Sequence, residues 1–295
     1  PTPGNSIVRR PNNENLFSLG SVLAKNDYDL KFLYGGYGYF DNMNYFFAHN
    51  HFQTIDRANL TSSEVTFANA WGVADEDIYQ RAIKEADTAY ANKHNFLYFV
   101  MTTSNHRPFT FPPGRIDIAS GSGRSGAVKY TDYAIKTFIE SARSKPWFDN
   151  TIFVITADHC AGSSGKTDLP IERYHVPLLI YAPKILKARE IDNLTSQIDV
   201  APTILGLLGV SYESRFYGTD ALNNPAHRAF ISTYQKLGYL ANSKLMVLGP
   251  KFDNKVYSIN GGEQTLVENG QDHLDEGISY YQTAYHLYAN NLMKE

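Results

Sequence analysis

The most informative part of the chain is the stretch Thr151-Ile152-Phe153-Val154-Ile155-Thr156-Ala157-Asp158-His159. Its first six residues form an almost continuous apolar run, which is typical of a strand that is covered on both faces of a parallel sheet. An aspartate and a histidine follow, and a loop rich in Gly and Ser over residues 161–165 comes next. Because ligands bind beyond the carboxyl ends of strands in open α/β sheets, this pair stands where a site is expected.

Asp158 and His159 together offer a carboxylate oxygen and an imidazole nitrogen, a combination that suits Zn or Mn. Two ligands are too few for a metal site, so further ligands must come from elsewhere in the protein. The alternative is a structural Asp-His pair at the end of a strand. We expect the next residue, Cys160, to pack behind the site rather than to bind the metal.

Helical and strand patterns alternate along the first three quarters of the chain. Apolar spacing predicts helices over residues 16–23, 75–94 and 127–144, and further apolar runs predict strands over residues 30–34, 96–101 and 176–181. Strands of this kind separated by helices favour an α/β fold with a mainly parallel sheet covered by helices on both faces.

The pattern changes near Ala226, where short strands with turn signals begin. We predict strands over residues 229–234, 244–248 and 255–259, followed by a helix over residues 277–293. The sequence therefore predicts a core over residues 1–225 and a small antiparallel α+β subdomain over residues 226–295.

Three other segments carry candidate site residues. His106, in Ser104-Asn105-His106-Arg107-Pro108-Phe109, follows the strand 96–101. It is suited to donate a hydrogen bond to a phosphoryl or sulfuryl oxygen or to protonate a leaving group, unless it is a loop histidine bonded to a carbonyl. Asp41 and Asn42 end the glycine-rich loop after the strand 30–34; they are candidates to bind substrate hydroxyls, although either could instead cap a helix. His175 precedes the strand 176–181 and reaches the site only if that strand runs antiparallel.

The overall composition of the chain restricts the classes of function that it can have. The net charge is -3, which gives no basic surface for nucleic acid. The single cysteine, Cys160, cannot form an internal disulfide. No apolar run approaches the about 20 residues that a membrane helix needs. Tyrosine is abundant, with 21 residues, which suits a surface that meets sugars or lipid headgroups but also a half-buried packing role.

Taken in order, these motifs resemble the sulfatase-like branch of the alkaline phosphatase superfamily. The residues that carry the resemblance are the Ser104–Phe109 segment, Tyr130-Thr131-Asp132, residues 148–159, residues 175–183 and Ser196-Gln197-Ile198-Asp199-Val200-Ala201-Pro202-Thr203-Ile204-Leu205. Within that branch the chain is most similar to the lipoteichoic acid synthases and related bacterial phosphoglycerol transferases.

The resemblance implies an alkaline phosphatase-like fold, a metal site that includes Asp158 and His159, and a phosphate-binding role for His106. It implies Mn as the cofactor, with Zn or Mg as alternatives. The donor would be a phospholipid headgroup such as phosphatidylglycerol, and the acceptor an envelope glycan or polymer. The catalytic domain would lie outside the cytoplasm, attached to the cell membrane through an N-terminal region that this chain lacks.

Two departures from the family pattern leave the reaction open. The family's nucleophilic Thr and its acidic metal ligand are expected N-terminal to this chain, and Pro1-Thr2-Pro3-Gly4 resembles the stretch just after the nucleophile. The loop over residues 35–43 lacks the basic residue that lipoteichoic acid synthases carry there. A sulfatase or phosphodiesterase of the same fold, or a catalytically incomplete binding module, therefore remains as an alternative.

Overall fold

The structure is a computed structural model that describes residues 6–162, 167–268 and 270–295. The helices are Leu19–Ala24 (α1), Met43–Ala48 (α2), Asp75–Ala91 (α3), Arg124–Ala142 (α4), Ile171–Tyr174 (α5), Val200–Leu208 (α6) and Gln271–Ala289 (α7). The strands are Asp29–Tyr34 (β1), Gln53–Ile55 (β2), Phe96–Met101 (β3), Phe153–Thr156 (β4), Leu178–Tyr181 (β5), Arg228–Ser232 (β6), Leu237–Ala241 (β7), Lys244–Leu248 (β8), Asn254–Asn260 (β9) and Glu263–Leu266 (β10).

The predicted elements are present, with ends shifted by a few residues. Residues 1–4 and most of the predicted Gly/Ser loop, residues 163–165, lie outside the described part of the chain. The short elements α2, α5, α6, β2, β7 and β10 were not predicted from the sequence.

The chain divides into two compact units, one formed by residues 20–151 with residues 13–16, and the other by residues 152–295 with short N-terminal segments. The division into a core of residues 1–225 and a subdomain of residues 226–295 therefore stays a prediction of the sequence.

The first unit is built on a parallel sheet with the strand order β2-β1-β3. The central strand β1 is buried along almost its whole length, and Leu33 packs with Ile55, Ile78 and Ala82. On α3 the buried apolar residues recur at helical spacing, which is why this helix was predictable from the sequence. Since β1 and β3 are parallel, the loops that follow them leave the sheet at the same edge.

Asp75, at the start of α3, ties the loop after β3 to this helix. Its Oδ1 accepts hydrogen bonds from the backbone N–H groups of Thr103 and Ser104 at 3.2 and 2.9 Å, and the Ser104 hydroxyl lies 3.2 Å from the Asp75 backbone N–H, which donates to it. The Asp75 carboxyl is fully buried, and this burial raises its pKa above the usual value of 3.8 although the hydrogen bonds from Ser104 and Thr103 oppose the shift.

The second unit contains the antiparallel pair β4–β5 and a five-stranded antiparallel sheet in the order β10-β9-β8-β7-β6. The sheet alternates its side chains between two apolar faces, as period-2 strands do. Leu240 and Leu245 contribute to the face that packs with Leu169 and Ile171, whereas Tyr239 and Met246 pack with Leu274 and Tyr281 of α7. The predicted C-terminal antiparallel α+β region is therefore confirmed.

A buried ion pair joins the first strand of this sheet to the turn before α6. The Arg228 guanidinium makes two parallel bonds to the Asp199 carboxylate, at 2.7 and 2.8 Å, and both side chains are almost fully buried. Asp199 also accepts from the backbone N–H groups of Ser196 and Thr219. A bidentate pair with its remaining lone pairs satisfied has the geometry that makes a buried ion pair tolerable.

Along the described ranges, none of the helices combines the length and the apolar character required to span a bilayer.

We predict that Arg228→Ala lowers the free energy of unfolding by about 3–5 kcal/mol, because it leaves the buried Asp199 carboxylate without its counter-charge. The measurement is urea unfolding of both proteins. Arg189→Ala is the matched control, since Arg189 is exposed, and it should change stability by less than about 0.5 kcal/mol. Equal effects of the two substitutions would contradict a structural role for the pair.

We also predict that Asp75→Ala costs about 2–4 kcal/mol, because two buried backbone N–H groups lose their acceptor. Asp75→Asn keeps one oxygen for both groups and should cost roughly 1 kcal/mol or less.

Because the folded-state pKa of Asp75 is raised, the folded protein binds the proton more tightly than the unfolded chain, so this group contributes less stability as the pH rises above 3.8. Unfolding curves between about pH 4 and 7 should therefore show the wild type losing stability relative to Asp75→Asn; parallel pH profiles would contradict this account.

Candidate active site

Asp158 and His159 lie just beyond the carboxyl end of β4, where the sequence places them. The Asp158 Oδ2 and the His159 Nε2 are 3.5 Å apart, and the side chains are 59% and 74% exposed respectively. The His159 backbone N–H donates to Asp158 Oδ1 at 2.9 Å. The two side chains are therefore held together at the surface of their unit, with ligand atoms facing one another.

The contact made by Nδ1 of His159 decides which nitrogen of the ring carries a proton. Nδ1 lies 2.7 Å from the carbonyl oxygen of Cys160. Since a carbonyl can only accept, Nδ1 must carry a proton and donate it, and Nε2 is then left with a lone pair that can bind a metal. Metal-binding histidines usually donate their second ring N–H in this way. Cys160 therefore contributes through its carbonyl group.

The separation of the two ligand atoms also fits a metal. Bonds of about 2.0–2.1 Å in tetrahedral geometry place neighbouring ligand atoms roughly 3.3–3.4 Å apart. The observed 3.5 Å between Asp158 Oδ2 and His159 Nε2 is close to that spacing. The pair thus fits a divalent metal in donor type and in distance.

The backbone of this pair is held from a separate segment of the same unit. The Gln197 side-chain amide donates to the carbonyl oxygens of Ala157 and Asp158, at 2.9 and 3.0 Å. Gln197 belongs to the turn that Asp199 organises through Ser196. The position of Asp158 therefore depends on the buried Arg228–Asp199 pair.

His175 was expected to reach the site only if β5 ran antiparallel to β4, and the two strands are antiparallel. Leu178 at the start of β5 pairs with Thr156 at the end of β4, and the Thr156 hydroxyl donates to the Pro177 carbonyl at 2.9 Å. The amino end of β5 is therefore next to the carboxyl end of β4. His175, three residues before β5, sits at the same edge as Asp158.

His106 follows β3 in the other unit and is exposed. Its ring stacks on the indole of Trp71, with the ring centroids 3.5 Å apart and the planes inclined by 30°. Its backbone N–H donates to Thr103 O at 3.1 Å, so the Asp75 network lies directly beneath this turn. The loop that carries His106 is therefore anchored at its base while the imidazole stays accessible.

Asp41 and Asn42 follow β1 and leave the sheet at the same edge as the His106 loop. Asn42 occupies the N-cap position of α2, but its side chain makes no capping hydrogen bond, so the helix-capping alternative is not shown. Both backbones are in the left-handed region, with φ of 49° and 63°.

Among the described residues, no group of three or more His, Cys, Asp or Glu side chains is arranged to hold a metal. Within the described ranges Asp158 and His159 therefore stand as a pair, and a metal site at this pair stays a prediction. Sequence reasoning missed Gln197, Trp71 and Asp75, which position the site residues. Gln197 lies within a recognised motif, but nothing in the pattern shows that its amide holds a backbone 40 residues away.

Comparison with known proteins assigns most of the chain to one family. A family model described as Sulfatase matches residues 3–210. Phosphoglycerol transferase I of Escherichia fergusonii is 28% identical over 152 residues, which are 48% of this chain and 20% of that protein. Lipoteichoic acid synthase 2 of Bacillus subtilis is 23% identical over 304 residues, 94% of this chain and 46% of that protein. The chain thus spans half or less of the length of these curated relatives.

Solved structures share the fold. A protein in the alkaline phosphatase superfamily from Vibrio parahaemolyticus superposes with a TM-score of 0.93 at 30% identity, covering 100% of this chain and 74% of that one. The lipoteichoic acid synthase LtaP from Listeria monocytogenes superposes with a TM-score of 0.80 at 22% identity, covering 97% of this chain and 76% of that one. The matched family model extends over most of the chain and includes every candidate site residue, and the chain belongs to the Sulfatase family, with the fold of the alkaline phosphatase superfamily.

Proposed function

We propose that the protein is a metal-dependent transferase that moves phosphoglycerol, or a similar phospholipid headgroup, to an envelope glycan or polymer. The observation that carries the proposal is the Asp158–His159 pair, with its ligand atoms 3.5 Å apart and its ring nitrogen fixed by the Cys160 carbonyl. The similarity to phosphoglycerol transferase I and to lipoteichoic acid synthases supports this reaction over others of the family.

Asp158 and His159 are the residues that would hold the divalent metal, for which we propose Mn, with Zn or Mg as alternatives. Such an ion, when bound, stabilises the negative charge that builds on a transferring phosphoryl group. Gln197 fixes the backbone on which both ligands are carried. The remaining acidic ligand and the nucleophile, a threonine in this proposal, come from outside the pair.

His106 is proposed to donate a hydrogen bond to a phosphoryl oxygen. Stacking on Trp71 restricts the ring to one plane, so less side-chain freedom is lost when substrate binds. A donor held in place before the reaction is more effective than one that must reorient. The stacked, exposed imidazole has this property.

Asp41, Asn42 and His175 are proposed to contact the substrate. Asp41 and Asn42 offer oxygen and amide groups suited to glycerol or sugar hydroxyls. His175 stands at the edge of the β4–β5 pair that also carries Asp158. We propose further that the domain works on the outer side of the cytoplasmic membrane, where phosphatidylglycerol is the donor.

The first test is metal binding by the chain with and without its carboxylate ligand. Asp158→Ala should weaken Mn binding at least about tenfold, measured by isothermal titration calorimetry, because it removes one of the two ligands. Asp192→Ala is the matched control, since Asp192 is an exposed carboxylate of the same unit, and it should bind Mn like the wild type. Unchanged affinity in Asp158→Ala would remove the pair from the metal site.

The same variants, produced together with any residues that precede this chain in the same gene product, distinguish a transferase from a hydrolase. Release of diacylglycerol from phosphatidylglycerol that requires Mn and is abolished in Asp158→Ala would support the transferase. Metal-dependent cleavage of an aryl sulfate or phosphodiester, with phosphatidylglycerol left intact, would instead identify a hydrolase of the same fold. Metal binding without turnover of any of these would contradict the proposal in favour of a binding module.

A further prediction concerns Gln197. Gln197→Ala should weaken Mn binding by about 10–100-fold, as loss of a supporting hydrogen bond outside the ligand shell does. The free energy of unfolding should change by less than about 1 kcal/mol, because the hydrogen bonds that the Gln197 side-chain amide donates are exposed to solvent. Gln235→Ala, at another exposed glutamine of the unit, is the control and should change neither quantity. Loss of stability without loss of Mn affinity would show a purely structural role.

A further inference from the structure

The five-stranded sheet of the second unit ends, on one side, in two neighbouring turns. The turn over residues 233–236 joins β6 to β7, and the turn over residues 249–253 joins β8 to β9. Leu237 at the start of β7 pairs with Leu248 at the end of β8, so both turns leave the sheet at the same end. Two strand spacings, about 10 Å, separate their centres. We call these two turns the paired tips.

Each of the paired tips displays one aromatic side chain to solvent. Phe252 is 93% exposed and Tyr234 is 81% exposed, the two highest values among the large apolar and aromatic side chains of the described ranges. Rings as exposed as these bury almost no apolar area within the fold, so they contribute little to its stability. A single exposed apolar residue is common on a protein surface, whereas two neighbouring ones at one end of a sheet form a local pattern.

Hydrogen bonds close both turns. The Gly249 N–H donates to the Asp253 carbonyl at 3.0 Å, and the Asp253 N–H donates to the Pro250 carbonyl at 3.2 Å. In the other turn, the Thr233 N–H donates to the Lys236 carbonyl at 2.9 Å, and the Lys236 N–H donates to the Thr233 hydroxyl at 2.9 Å. The two rings are therefore presented by short closed turns on a packed sheet, so little backbone freedom is lost when a tip meets a partner.

Lysines accompany the rings at this end of the sheet. Lys236 is bonded to Asp168, and Lys255 lies 3.1 Å from Asp253 and 3.6 Å from Asp168. Lys251 is exposed and makes no ion pair with any described residue. The paired tips and the side chains bonded to them thus carry three lysines against two aspartates, in a chain whose net charge is -3. The ammonium group of Lys251 stands ready for an anion outside the protein.

The chemistry of the paired tips fits an anionic bilayer better than a protein partner. Aromatic rings next to lysines are the combination by which protein surfaces meet the headgroup region of anionic membranes. A stable protein interface needs a continuous surface of about 800 Å² on each side. Two separate rings about 10 Å apart do not provide such a surface, whereas lipid headgroups move aside wherever a ring enters.

The chain that leads away from the candidate metal ligands reaches the paired tips. Asp168 comes nine residues after His159 in the sequence. Its carboxylate accepts from Lys236, which ends one tip, and from the Tyr257 hydroxyl of β9 at 2.7 Å. Nine residues span roughly 30 Å at most, so a surface that holds the tips stays within that reach of His159.

We propose that the paired tips dock the second unit on the surface of an anionic bilayer, with Phe252 and Tyr234 inserted among the headgroups and Lys251 facing lipid phosphates. The docking itself does not depend on the proposed transferase activity, whereas its use, which is to keep the unit beside a phospholipid donor, rests on that function. The contact is additional to any anchor elsewhere in the protein, and it sets which end of the sheet faces the membrane.

The test measures co-sedimentation of this chain with phosphatidylglycerol vesicles and with phosphatidylcholine vesicles, with a chelator present. The wild type should bind the phosphatidylglycerol vesicles more strongly. Phe252→Ala should lower that partition coefficient about threefold to tenfold, because the ring no longer enters the interface. Phe252→Trp should bind at least as well as the wild type, since Trp favours the interface. Tyr90→Ala is the matched control, because Tyr90 is 49% exposed and lies in the other unit.

A second pair of variants tests the charge. Lys251→Ala should weaken binding to phosphatidylglycerol vesicles about fivefold, the effect expected for one lysine near an anionic surface, and should leave binding to phosphatidylcholine vesicles unchanged. Lys93→Ala is the matched control, since Lys93 is an exposed lysine of the other unit, and it should change neither quantity.

Three results would overturn the docking surface: no binding of the wild type to phosphatidylglycerol vesicles, equal binding to both kinds of vesicle, or equal weakening by Phe252→Ala and Tyr90→Ala. Vesicle binding that persists while Mn binding and headgroup release fail would keep the paired tips and reject the transferase. Headgroup release from detergent-solubilised phosphatidylglycerol, without vesicle binding by this chain, would reject the tips alone. The docking surface and the proposed function therefore fail separately.

Discussion

The buried ion pair between Arg228 and Asp199 is the interaction on which the backbone position of the Asp158–His159 pair depends. Arg228 holds both oxygens of Asp199, and the same carboxylate accepts from Ser196 and Thr219. The turn thus fixed carries Gln197, whose amide holds the carbonyls of Ala157 and Asp158. Burying two charges is costly unless they are paired and hydrogen-bonded, and here each Asp199 oxygen accepts one bond from Arg228 and one from a backbone N–H group.

In the other unit, a buried carboxylate arranges a loop through hydrogen bonds rather than through an ion pair. Asp75 is buried at the start of α3 and accepts from two backbone N–H groups of the loop that leads to His106. In both units a buried carboxylate arranges a loop, and the candidate site residues His106 and Asp158 stand exposed beyond it. We therefore expect substitutions at these two positions to leave the protein folded.

The sequence predicted the features that depend on local patterns of residues. Apolar periodicity identified α3 and α4, and the position of Asp158 and His159 after a strand was confirmed. The direction of β5 was left open, because an apolar run reads the same in a parallel or an antiparallel neighbour. Gln197 and Asp75 were missed for another reason. Their partners lie 28 to 40 residues away, and a side-chain hydrogen bond to a distant backbone leaves no mark in periodicity.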